Sequence, residues 1–143
     1  MIQEDKELLL KDLCARLPYG VKLGFYASAT KQTYICTLLG LEPQEDEPVI
    51  AKTENGSFYM LAGNVKPYLF PMSSMTEEQK EEYYYIVNYI SSDDTETWME
   101  GEFIYVGTTQ FLRLIDFYHR NHLDYRGLIN GGLAIDATGL NIY

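Results

Sequence analysis

The side chains of this 143-residue chain with the widest chemical reach are its two histidines, His119 and His122. Asp116, His119 and His122 stand at i, i+3 and i+6, and Asp124 follows just beyond. Side chains three apart on a helix are neighbours, so a two-histidine, one-carboxylate metal site is the first chemistry to weigh. The helical wheel argues against it. Phe111, Leu114, Ile115 and Tyr118 define an apolar side that includes His122, while Asp116 points nearly opposite. Metal centres need three or four converging ligands, so no metal is expected. His122 reads as a packed residue near the negative end of a helix dipole.

Other catalytic sets are missing. The chain holds no GxGxxG, GxxxxGK[ST], GxSxG or HExxH. Glu81-Glu82 and Asp93-Asp94 are adjacent and solvated, whereas acid–base work needs one carboxyl shifted by burial. Cys14 and Cys36 are 22 residues apart without a CxxC, and both read as small buried hydrophobes. Arg126, beside Asp124, reads as the partner of a nearby carboxylate in a structural segment. No catalytic residue and no cofactor is nominated, and a non-enzymatic protein is the expectation.

The tyrosine run Tyr83-Tyr84-Tyr85 carries more information. Consecutive helical residues point about 100° apart, so three in a row cannot all enter one core. Tyr83, Ile86, Val87 and Ile90 form one buried stripe. Opposite them, Glu78, Glu82, Tyr85 and Tyr89 fall within roughly 60° of the wheel. Tyrosine offers wide contact area, few rotors to freeze and one polar handle, and is enriched at interfaces. The expectation is a docking surface of Glu78, Glu82, Tyr85 and Tyr89 for a protein partner of basic character. The bland alternative packs Tyr85 and Tyr89 under a loop or a neighbouring helix. Two further readings stay open: a small-molecule or enzymatic pocket lined by Tyr34, Tyr59 and Tyr105, and a homodimer meeting through the second helix.

Charge narrows the partners. Twenty-one acids oppose eleven bases, for a net charge of -10, and no two bases are adjacent. Nucleic-acid binders neutralise phosphates with clustered Lys and Arg, so direct nucleic-acid binding is not expected, nor is adhesion to an anionic membrane. No apolar run approaches the 18 or so residues of a membrane span. Glu4, Asp5, Lys6 and Glu7 are unlike the opening of a secretory signal, and a cytoplasmic protein is expected.

These residues need elements to position them. At 46% hydrophobic and 22% charged, the chain has the profile of one globular domain over residues 1–143. Ile2 to Leu17 reads as an amphipathic helix, with Leu9, Leu10, Leu13 and Leu17 inward and Glu4, Glu7, Lys11 and Asp12 mostly outward, stopped by Pro18 and Gly20. Strand-like stretches follow at Val21–Phe25, Thr33–Leu38, Val49–Lys52, Ser57–Leu61 and Val65–Phe70, joined by short turns including Asn55-Gly56. Thr76 and Gln79 have capping-box spacing, opening a helix expected to reach about Ser91. Asp93–Glu100 reads as an acidic link, Glu102–Val106 as a short strand and Gln110–His122 as a third helix. A small hairpin is expected between Leu133–Ile135 and Leu140–Ile142. The fold class is therefore α+β: an antiparallel sheet of about five strands packed with three α-helices.

Three stretches also resemble a family of small uncharacterised proteins found in genomes of gut anaerobes and in their phages or mobile elements. They are Leu8 to Lys22, Pro71 to Thr76, and His122 to Ile129 with Gly132-Leu133-Ala134 after it. The resemblance implies a phage or mobile-element origin over the whole chain. It brings no activity and no functional residues.

Overall fold

The computed structural model describes residues 1–88 and 108–143. The first amphipathic stretch forms α1, Gln3–Arg16, followed by a 3-10 turn over Leu17–Tyr19. Gly20 closes that turn in the left-handed region at φ 67, where a Cβ would be strained. Leu9 and Leu13 are fully buried, as expected. Asp12 and Arg16 are fully buried too, which corrects the assignment of Asp12 to the polar side.

The β-branched and aromatic middle third forms β1 (Lys22–Ala27), β2 (Gln32–Leu41), β3 (Val49–Thr53), β4 (Gly56–Met60) and β5 (Val65–Pro71). These pair antiparallel in the order β4-β3-β2-β1-β5. Two short strands, β6 (Leu123–Asp124) and β7 (Ile135–Asp136), then pair with β5 in parallel, through Phe70↔Leu123 and Tyr68↔Ile135. The described sheet is therefore open, mixed and seven-stranded, where about five antiparallel strands were expected. The expected terminal hairpin does not form: the chain at 135–136 joins β5, and Ala137 N–H donates to Leu69 O at 2.8 Å. Gly24 allows this closure, since a Cβ there would stand 2.8 Å from Ile135 Cδ1.

Two further helices complete the mixed α/β architecture: α2 (Glu77–Asn88) and α3 (Thr108–Arg120). The expected end of the second helix near Ser91, the acidic link Asp93–Glu100 and the strand Glu102–Val106 extend outside the described residues. Among the described residues no helix is long and apolar enough to cross a membrane.

Alternation along the strands gives the sheet two unlike faces. Leu23, Cys36, Leu38, Val49, Ala51, Met60, Val65 and Leu69 share one face and pack with Leu9, Leu13, Leu128 and Leu133 in the main core. Burial pushes the Cys36 thiol up to about 11. Cys14, by contrast, is exposed, against the expectation for both cysteines. A second, smaller core joins α2 and α3 to the end of β5: Ile86, Phe117 and Leu123, flanked by Phe70, Met72, Met75, Tyr83, Leu114 and Tyr118. Phe117 is its centre. Phe111, placed on the buried side by the wheel, is 60% exposed.

Candidate functional site

Side-chain bonds from α3 and the residue after it fix the position of α2. At its start, Thr76 N–H donates to Gln79 Oε1 at 2.9 Å and Gln79 N–H to Thr76 Oγ1 at 3.1 Å, the reciprocal capping box read from the sequence. Gln79 Nε2 then donates to Asn121 Oδ1 at 3.0 Å, tying the helix start to the end of α3. Farther along, the Gln110 side chain donates to Ile86 O at 2.9 Å and also to Val87 O, a second tie from α3 to α2. Between these ties Ile86 is buried, and the Tyr83 ring meets Phe117 at 6.2 Å between centroids.

With that side turned inward, the other side must face water. Glu77, Glu78, Glu81 and Glu82 are all exposed, and Tyr84 and Tyr85 are 69% and 61% exposed. Of the expected surface, Glu78, Glu82 and Tyr85 therefore lie together on the outward face of α2, and Tyr89 lies outside the described residues. The wheel overlooked Tyr84, which borders the same face.

Glu82 and Glu77 have bases beside them. Arg120 Nη2 donates to Glu82 Oε1 at 2.7 Å and Arg120 Nε to Asp116 Oδ2 at 2.9 Å, while Lys80 Nζ reaches Glu77 at 3.2 Å. Asp116 in turn accepts from the Tyr19 hydroxyl at 2.7 Å, and that bond, with Arg120, holds its carboxyl below the usual range. Glu78 and Glu81 have no ion-pair or hydrogen-bond partner among the described residues.

The histidine set does not converge. Asp116 faces Tyr19 and Arg120, His119 Nε2 lies 2.8 Å from the Tyr125 hydroxyl, and His122 stacks on Tyr143 at 3.6 Å between centroids. The Tyr143 hydroxyl donates to Tyr68 O at 2.7 Å and accepts from Lys22 N–H at 2.9 Å, so this ring pair fastens the tail to the sheet. Burial, with Arg16 nearby, pushes the His122 pKa down to about 4. A histidine held neutral in the fold and free to protonate when unfolded makes stability rise with pH. The window runs from about pH 4 to the ordinary histidine value of 6.5. The shift alone would be worth about 3 kcal/mol, and partial exposure screens it to roughly 1–2 kcal/mol. His122→Asn, which tolerates the left-handed backbone at φ 53, should flatten that part of the curve. Urea unfolding at pH 4.5 and 7 checks this; equal slopes for both proteins would contradict it.

Sequence reasoning missed a buried ionic cluster under α1. Arg16 Nε donates to Asp12 Oδ2 at 2.7 Å and Arg16 Nη2 to Leu123 O at 2.7 Å, with both side chains fully buried. Arg126 Nε approaches Asp12 Oδ1 at 3.2 Å, so its carboxylate partner is Asp12 and not one near Asp124. Asp124 instead accepts the backbone N–H groups of Leu128 and Ile129, at 2.8 and 2.9 Å. Both guanidinium groups lie over the Tyr125 ring, at 5.3 and 5.2 Å. The segments Leu8 to Lys22 and His122 to Ile129, far apart in the chain, meet here. Of the pocket tyrosines, Tyr34 and Tyr59 lie on opposite sides of the sheet, Tyr34 paired with Phe25 on the core side and Tyr59 with Ile50 on the open side, and Tyr105 lies outside the described residues.

No family model, curated protein or solved structure matches the chain.

Proposed function

We propose that the chain is a non-enzymatic, cytoplasmic protein-interaction module that docks a basic protein surface through the outward face of α2. The observation that carries this reading is the pair of largely exposed rings, Tyr84 and Tyr85, set among four carboxylates on a helix whose other side fills a core. Interface cores favour aromatic residues with charge at the rim, and complementary potentials speed encounter and select partners. A net charge of -10 adds long-range attraction for a basic partner and repels nucleic acid. With the phage or mobile-element origin that the resemblance implies, the partner is a host or phage protein. The divergence of Tyr34 and Tyr59 weighs against a tyrosine-lined pocket.

The test places a photo-cross-linking phenylalanine analogue at position 85 of the full chain in a cell extract. The expected result is a discrete protein adduct whose yield falls as salt rises from about 0.1 to 0.5 M. No adduct, or an equal yield with the probe at position 31 in the β1–β2 turn, contradicts the reading.

A further inference from the structure

Strands β1 to β5 contain three charged residues, and all three are lysines: Lys22, Lys52 and Lys66. The register puts them on one face. Lys22 lies opposite Thr37, Thr37 opposite Lys52, and Lys66 opposite Gly24, two residues along from Lys22. Ile35, Tyr26, Ile50 and Tyr59 share that face, which is the side away from α1. Ile35 is 53% and Tyr26 47% exposed. Lys22 Nζ donates to Thr37 Oγ1 at 2.8 Å, whereas Lys52 and Lys66 have no ion-pair or hydrogen-bond partner among the described residues. Glu42, Glu45, Asp46 and Glu47 gather around Tyr59 at the β4 edge, and the three lysines lie on β3, β1 and β5. Bases scattered in the sequence are thus collected by the fold into one patch.

This patch is the complement of the outward face of α2. One offers unpaired ammonium groups around exposed Ile35 and Tyr26; the other offers unpaired Glu78 and Glu81 beside Tyr84 and Tyr85. Lys52 on β3 and Lys66 on β5 are three strand spacings apart, about 14 Å at 4.8 Å each, and the tail takes up part of the face between them, where Ile135 packs on Gly24. We propose that the chain associates with itself head to tail, the α2 face of one copy seated on the open sheet face of the next, in competition with other basic partners. The proposal rests on the reading of α2 as a docking face and names one occupant of it. Repulsion between two acidic chains is largely screened beyond about 8 Å at physiological salt, while ion pairs formed at contact are screened less. A footprint this small makes a weak complex, with half-association on the order of 10–100 µM.

Sedimentation velocity of the full chain over a concentration series tests it. The wild-type chain should pass from monomer to larger species across that range. Lys52→Glu with Lys66→Glu, and separately Glu78→Lys with Glu81→Lys, should each weaken association at least tenfold. An equimolar mixture of the two variants should restore it, because each then meets an opposite charge. Glu82 is left alone because it ties α2 to α3 through Arg120. A wild-type chain that stays monomeric to about 1 mM overturns the proposal, as does a mixture that does not associate. If only the helix variant loses association, the sheet face is not the occupant and the proposal fails, while the docking role of α2 stands. A cross-link from position 85 to a foreign protein alongside a monomeric chain separates the two readings in the same way.

Discussion

Replacing Arg16 with methionine is expected to cost about 3–5 kcal/mol of stability, at least a fifth of the roughly 5–15 kcal/mol that holds a domain folded. The change removes the only guanidinium that bonds Asp12 at 2.7 Å with both groups out of contact with water. It leaves a carboxylate with no contact to water and only Arg126, at 3.2 Å, to offset its charge. It also frees Leu123 O, and with it the link from α1 to β6. An ion pair out of contact with water contributes little over an apolar pair of the same shape, because desolvation cancels most of the attraction; the cost arises when one partner is lost. Asp12→Leu combined with Arg16→Met should therefore recover most of the loss. Urea unfolding reads both variants, with the midpoint falling and the slope unchanged for the single one. Should Arg16→Met prevent folding, Arg16→Lys, which keeps the charge but not the two-armed geometry, should show an intermediate loss. A cost below about 1 kcal/mol for Arg16→Met would mean that the cluster does not hold α1 to the tail.

Tyr84→Ala with Tyr85→Ala is expected to have the opposite profile. Truncating a central interface tyrosine commonly costs 2 kcal/mol or more of binding, so losing both rings should weaken docking by roughly thirtyfold or more. The fold should hardly notice. Both rings are largely in water, substitutions at such positions usually stay within about 0.5 kcal/mol, and alanine suits a helix better than tyrosine does. The inner side of α2 keeps Ile86 and Tyr83 on Phe117, and the ties from Gln79 and Gln110 are untouched.

Much of the fold was legible in the sequence where the signal was local. Thr76 and Gln79 announce a helix start because each bonds the backbone of the other. The antiparallel strands from Lys22 to Pro71 follow from short turns between β-rich stretches. The outward set of Glu78, Glu82 and Tyr85 follows from a run of three tyrosines that no single core can take. What escaped depends on partners distant in the chain. A helical wheel sorts by polarity, so it sends Asp12 outward; Arg16 pairs with it one turn on, and the buried pair is completed by Arg126 on Asp12 and by the Leu123 carbonyl, 107 residues from Arg16, on the guanidinium. Two-residue strands have no period to read, which is why Ile135-Asp136 was assigned to a hairpin and not to the edge of β5. The same wheel set Phe111 inward, whereas the core centres six residues later, about 1.7 turns on, at Phe117. Lys22, Lys52 and Lys66 become a patch only once the strand register is known.

The most direct measurement sets binding beside stability for one variant: capture of the protein cross-linked at position 85 by the chain carrying Tyr84→Ala and Tyr85→Ala, with the thermal midpoint recorded on the same preparation. Docking through α2 predicts that capture is lost while the midpoint moves by no more than about 2–4 °C. A collapsed midpoint would show that the rings belong to the core, and undiminished capture would show that the partner binds elsewhere; either result contradicts a docking role for this face.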